Sequence, residues 1–199
     1  MTVGIYLHIP FCESICDYCD FYSVIADEKK RDRYVQSVQQ ELIERSDKVA
    51  PVDTIFFGGG NPGLLTPKQI EQLVRTIYAH YSISSDVEIT MECNPENSSE
   101  EKLVGYKQAG INRISFGVQS YNSEQINTLG RQRHSDPATL VNAAINIFPR
   151  VSLDIMLGIP GQTVVSLQND LNKIPQDVGH LSIYELTLYP KTRLASRVS

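Results

Sequence analysis

Strand-like and helix-like segments alternate along this chain, and that alternation restricts the fold more than any other feature. Runs rich in β-branched and aromatic residues at positions 3–9, 54–57, 86–93, 112–118, 151–157 and 181–188 read as six strands. Helical patterns separate them. Residues 30–48 place Tyr34, Val35, Val38, Leu42 and Ile43 on one face, and Ile70, Leu73, Val74, Ile77 and Tyr81 form a second stripe. Thr66-Pro-Lys-Gln69 and Ser98-Ser-Glu-Glu101 read as capping boxes, and Gly110 as a helix stop. A short helix is expected from Asn122. A longer one from Asp136-Pro137 turns Leu140, Val141, Ala144, Ile145 and Phe148 inward, and another starts at Thr163. Strands joined through helices pair in parallel with right-handed crossovers. The expected fold is therefore α/β, a partial (βα)6 TIM-like barrel of parallel strands with outer helices. A doubly wound open sheet is the structural rival. In both, a site forms at the carboxyl ends of the strands. No helix is expected after the sixth strand, so residues 1–199 read as one domain of a longer protein whose C-terminal region is missing.

Charge and cysteine placement exclude several classes. Lys plus Arg number 18 and Asp plus Glu 23 in 199 residues, a net charge of −5. An acidic chain lacks the clustered cations of a general nucleic-acid binder, so no nucleic-acid partner is expected. The first Lys is Lys29, too late for the basic start of a secretory signal, and no apolar run is long enough for a membrane span. Cys12, Cys16 and Cys19 cluster while Cys93 stands alone, a poor disulfide framework. A reducing cytoplasm is the expected setting, with the cluster reserved for metal.

The triplet Cys12-Glu-Ser-Ile-Cys16-Asp-Tyr-Cys19 lies in a loop directly after the first strand. Three thiolates this close can converge on one metal centre without supplying a fourth ligand. Iron–sulfur clusters usually take four cysteines, so three would leave one iron open to a ligand. Two alternatives stand beside this: a structural zinc completed by His8, and three unrelated buried thiols.

Other signals fall at the same ends of the strands. Gly58-Gly-Gly60 reads as a turn where backbone approaches a ligand closely, or as a plain strand-to-helix turn. Glu92 is costly if buried alone, and Asp154 interrupts an apolar strand, which favours a place facing the site. Arg131 carries a planar guanidinium suited to a carboxylate, whereas Arg133 and His134 read as solvated. Cys93 reads as a small core residue, and Tyr6 and Tyr18 suit a core as well.

Taken together, Tyr6-Leu-His-Ile-Pro-Phe-Cys12, Cys16-Asp-Tyr-Cys19-Asp-Phe21, Phe57-Gly-Gly-Gly-Asn-Pro62, Glu92-Cys-Asn-Pro95, Asn112-Arg-Ile-Ser-Phe-Gly-Val-Gln-Ser120, Leu129-Gly-Arg131 and Asp154-Ile-Met-Leu-Gly-Ile-Pro-Gly-Gln-Thr163 resemble one family. It is the oxygen-independent coproporphyrinogen III oxidase family of the radical S-adenosylmethionine (SAM) superfamily, and within it the heme-chaperone (HemW-type) branch. The resemblance spans residues 3–190. It implies that Cys12, Cys16 and Cys19 hold a [4Fe–4S] cluster whose open iron takes the amino and carboxylate groups of SAM. One electron from the cluster then cleaves the sulfonium to a 5′-deoxyadenosyl radical. It further implies that Tyr6, Tyr18, Gly59, Gly60, Asn61, Glu92, Gln119, Arg131 and Asp154 lie at the cofactor. Gly158-Ile-Pro-Gly161 would pack on adenine. Relatives usually carry Thr where Asn61 stands.

The implied partners are heme or a porphyrin, a reductant protein as electron donor and a heme acceptor protein. Two other functions compete: a coproporphyrinogen III dehydrogenase and a zinc-stabilised binding domain. The dehydrogenase branch continues its motif with a further Cys two residues after the third, and this chain has Phe21 there. With only His8, His80, His134 and His180 as imidazoles, heme binding by this chain alone is expected to be weak.

Overall fold

A computed structural model describes residues 1–46, 50–133 and 136–198. Six parallel strands, β1 (Val3–Ile9), β2 (Val52–Gly59), β3 (Ile83–Cys93), β4 (Arg113–Gln119), β5 (Arg150–Leu157) and β6 (His180–Glu185), pair in strict chain order. That order decides between the two expected architectures. A doubly wound sheet must reverse its strand order so that crossovers fall on both faces. Sequential order with crossovers of one hand puts every helix on the same side. The sheet is the wall of an open six-stranded barrel, with β1 and β6 as its edges among the described residues.

The helices follow as α1 (Glu28–Glu44), α2 (Pro67–His80), α3 (Glu100–Gln108), α4 (Ser123–Thr128), α5 (Pro137–Ile147), α6 (Val164–Asn172) and α7 (Arg193–Val198). α1 packs on α2, α2 on α3, and α3 on α5. Strand alternation then sorts the side chains. Leu7, Ile9, Ile55, Phe57, Ile89, Met91, Ile114, Phe116, Leu153 and Ile155 turn toward the helices and form the core. The other face is polar. Thr90 lies opposite Arg113, Glu92 opposite Ser115, and Gly117 opposite Asp154. Arg113 bonds Thr90 and Ser152 there, and Arg150 reaches Glu88 at 2.8 Å.

Local signals hold in detail. Thr66 and Gln69 form the capping box of α2, Asp136 caps α5 with Pro137 at its first position, and Gly110 adopts φ +105° after α3. α3 departs from the expected box. Its cap is Ser99, which accepts from Lys102 N, while Ser98 turns its hydroxyl to the Asn94 carbonyl at the end of a 3-10 turn. α1 ends four residues early, and Lys48 lies outside the described residues. The sequence reading also missed α7. Its six residues are too few for a periodic signal, yet Thr192 accepts from Ala195 N, and Leu194 and Ala195 are buried.

Candidate metal and cofactor site

The strand ends converge on a cavity of about 490 Å³. β1 delivers the cysteine loop to it, β2 the glycine turn, β3 Glu92, β4 Gly117 and Gln119, β5 Asp154 and β6 Tyr184. Of the twelve residues singled out in the sequence, Cys12, Cys16, Cys19, Tyr18, Gly59, Gly60, Asn61, Glu92, Gln119, Arg131 and Asp154 line this one space. Tyr6 does not. It stands on the open edge strand, 58% exposed, stacked on Phe56 with its hydroxyl 3.2 Å from His8 Nδ1.

The cysteine loop is tied down at several points. Cys12 N donates to the Val24 carbonyl, Cys19 N to that of Cys16, and Asp17 N to that of Leu129. α7 closes over it from the far end of the chain, with Leu194 N on the Asp17 carbonyl and Arg197 2.5 Å from the Asp17 carboxylate. Burial pushes the Cys16 thiol up to about 11, opposed by the Arg131 guanidinium, and raises Cys12, opposed by a hydrogen bond with Ser23. Among the described residues no three Cys, His, Asp or Glu side chains close on one point at the spacing of a single metal ion. His8 gives no help to zinc either, since its ring nitrogens face the Tyr6 hydroxyl and the Tyr22 carbonyl.

The glycine turn has a cause that its sequence does not show. A Cβ on Gly60 would lie 2.7 Å from the Phe11 carbonyl oxygen and 3.0 Å from that of Ile9. The close approach is made by the start of the cysteine loop itself, through Gly60 N to Ile9 O and Asn61 N to Phe11 O. Gly59 adopts φ +114° and lends its N–H to Glu92 Oε2 at 3.1 Å. The Asn61 amide is spent within the protein, donating to Asn97 and accepting from the backbone of Gly63 and Asn94. Cys93 is buried in the core, as expected of a small apolar residue.

Charge around the cavity is one-sided. Among the described lining residues, six carboxylates (Glu13, Asp20, Glu92, Glu96, Asp154 and Glu185) face one guanidinium, Arg131. That guanidinium is already engaged, with its NH1 on the Gly117 carbonyl and its NH2 2.7 Å from Glu96. Arg133, expected in solvent, is instead 7% exposed and bonds the other Glu96 oxygen at 2.8 Å. Long-range pairing overrides the polarity of its neighbours in sequence, and His134 lies outside the described residues. Burial works against Glu96, but the two guanidiniums outweigh it and hold the acid below the usual carboxylate range. Glu92 and Asp154 have no ion-pair partner among the described residues, though Arg113 acts on both and Ser182 hydrogen-bonds Asp154. Burial pushes Glu92 up to about 7 despite the Gly59 N–H, with Asp154 adding to the rise, and burial raises Asp154 as well. A cavity lined by acids without a cationic partner among the described residues and by half-buried thiols suits a ligand carrying positive charge beside a metal cluster. The donor set fits both a three-thiolate cluster and SAM, whose sulfonium and ammonium are cationic.

Comparison with known proteins agrees with this geometry. The sequence profile of the radical SAM superfamily matches residues 6–174, and the chain belongs to that superfamily. Within it, the similarity runs to the coproporphyrinogen III oxidase-like proteins and, among those, to the HemW branch. The chain is 40% identical to the protein named heme chaperone HemW of Bacillus subtilis, covering 94% of this chain and 51% of that protein. It is 37% identical to the HemW of Escherichia coli, covering 98% and 53%. The solved structure of E. coli coproporphyrinogen III oxidase (HemN), described as a radical SAM enzyme, superposes with a TM-score of 0.89 at 28% identity, over 98% of this chain and 46% of that one. The chain thus spans about half the length of the curated relatives it matches.

Proposed function

We propose that this chain is the cluster- and SAM-binding module of a protein that handles heme in the manner of the HemW relatives. One observation carries the reading. Three cysteines from the β1 loop open onto the same cavity as Glu92 and Asp154, two acids on β3 and β5 with no ion-pair partner among the described residues. When bound and reduced, the cluster supplies the electron that cleaves the SAM sulfonium to a 5′-deoxyadenosyl radical.

The chain's own residues bind, orient and enclose. Cys12, Cys16 and Cys19 would hold the cluster through their sulfurs, giving up their thiol protons as they did so, and three ligands would leave it one place for SAM. Glu92, half-protonated near neutral pH, loses its proton as the ligand's cationic groups arrive. Gln119 and Asp154 line the cavity from β4 and β5 and would meet the polar groups of the ligand there. α7 holds the cysteine loop in place through Leu194 N and Arg197 on Asp17.

The dehydrogenase reading has one residue against it: Phe21, 71% exposed at the cavity rim, stands where that branch carries its further cysteine. The zinc reading has His8 against it, since both its ring nitrogens face other partners. Incubating the reconstituted protein with SAM, a strong reductant and coproporphyrinogen III tests the assignment. The expected products are 5′-deoxyadenosine at a slow uncoupled rate and no protoporphyrinogen. Protoporphyrinogen well above a cluster-free control would overturn the chaperone-branch reading, and stoichiometric zinc without iron uptake would overturn the cluster.

A further inference from the structure

Gln119 is the one described non-glycine residue with a left-handed backbone, φ +65°. It sits where the β4–β5 register slips between Gly117 and Gln119, so the carbonyls around it leave the regular ladder. Its side chain is 5% exposed and lines the cavity, and its Oε1 accepts the Tyr184 hydroxyl at 2.7 Å. A strained residue persists only where its surroundings over-determine it.

Those surroundings are two buried arginines and one acid. Arg131 NH1 donates to the Gly117 carbonyl at 2.8 Å. Arg133 donates from NH2 to the Val118 carbonyl at 2.7 Å and from NH1 to the Ser120 carbonyl at 2.5 Å. Each of these three carbonyls accepts from a guanidinium, and the Val118 carbonyl also takes the Ser120 N–H at 2.8 Å across Gln119. Glu96, from the turn after β3, bridges the pair, with Oε2 on Arg131 and Oε1 on Arg133. All three side chains are at most 10% exposed. Arg133 does not line the cavity, so whatever it contributes to a ligand passes through other residues. Its three bonds use three different N–H groups of one planar fork, which a lysine ammonium cannot reproduce.

We propose that Arg133 is a positioning residue: with Glu96 and Arg131 it forms a buried ionic brace that fixes the strained Gln119 and aims its amide into the ligand cavity. The brace also ties the carboxyl end of β3 to that of β4. The ligand half of this inference rests on the SAM reading above; the structural half does not.

Two measurements test it. In metal-free protein, hydrogen exchange of a peptide covering residues 117–121 should quicken by about tenfold in Arg133→Met and Arg133→Lys, with β1 and β2 unchanged. The lysine variant keeps a buried cation opposite Glu96, so it decides the question if Arg133→Met does not fold. Unchanged exchange in a folded variant overturns the brace. In reconstituted protein, Arg133→Lys should weaken SAM binding about tenfold alone, but less than twofold when added to Gln119→Ala. Equal losses in both backgrounds mean that Arg133 does not act through Gln119 and overturn the positioning role. Failure of the parent protein to bind SAM would remove the SAM reading instead, and the exchange measurement would still decide the brace.

Discussion

Replacing Glu92 by glutamine separates what the site does for its ligand from what it costs the empty protein. Burial raises this acid from the usual 4.5 to about 7, so the folded protein keeps the proton to a higher pH than the unfolded chain does. Its contribution to stability is therefore full below about 4.5 and is lost as pH rises toward 7. At about 1.4 kcal/mol per tenfold, that span amounts to roughly 2–3 kcal/mol once solvent access through the cavity is allowed for. Glutamine is close in shape to the protonated acid and still accepts the Gly59 N–H. Glu92→Gln should thus match the parent at pH 5 and exceed it by roughly 2–3 kcal/mol at pH 8. The same change should weaken SAM binding, because the carboxylate no longer meets a cation. Urea unfolding of metal-free protein at the two pH values, with calorimetric SAM titration of the reconstituted form, measures both effects. A variant less stable than the parent at pH 8, or a difference that does not change with pH, refutes the argument.

Four further outcomes follow from the same geometry. Gly60→Ala forces a Cβ against three backbone atoms of residues 9–11 and should cost about 3 kcal/mol, read as a lower thermal midpoint and poor iron uptake. Cys12→Ala, Cys16→Ala and Cys19→Ala should each abolish cluster assembly, whereas Cys93→Ala, in the core, should keep the iron and lose only stability. Asp17→Asn leaves Arg193 and Arg197 without their anion; limited proteolysis should then cut the C-terminal helix sooner, at low salt most clearly. The Tyr121 hydroxyl is buried without a hydrogen-bond partner among the described residues, so Tyr121→Phe should stabilise the protein by about 1 kcal/mol in urea unfolding.

The parts of this fold that are legible in the sequence are those written locally. Apolar periodicity marks the strands and helices, Thr66 and Asp136 announce their helices, and the cysteine triplet points to metal. The parts that are not legible depend on residues far apart in the chain. Nothing near Arg133 separates a solvated arginine from one that meets Glu96, 37 positions away, in a buried brace. The reason for Gly60 is likewise remote, since the crowding atoms belong to residues 9–11. β3 begins at Ile83 rather than at 86 because Val52 pairs with Ile83 across the sheet, which outweighs the weak strand preference of Ser84 and Ser85. The left-handed Gln119 carries no signal at all in composition or spacing.

Electron paramagnetic resonance of the reduced, reconstituted protein with and without SAM tests the central claim most directly. Three cysteines facing an acid-walled cavity should assemble a [4Fe–4S] cluster with one iron open to that cavity. Added SAM should then shift the g-values of the reduced cluster, and Glu92→Gln should raise the SAM concentration needed for the shift. A reduced cluster whose spectrum is the same with saturating SAM, or a protein that takes up no iron, would contradict the account.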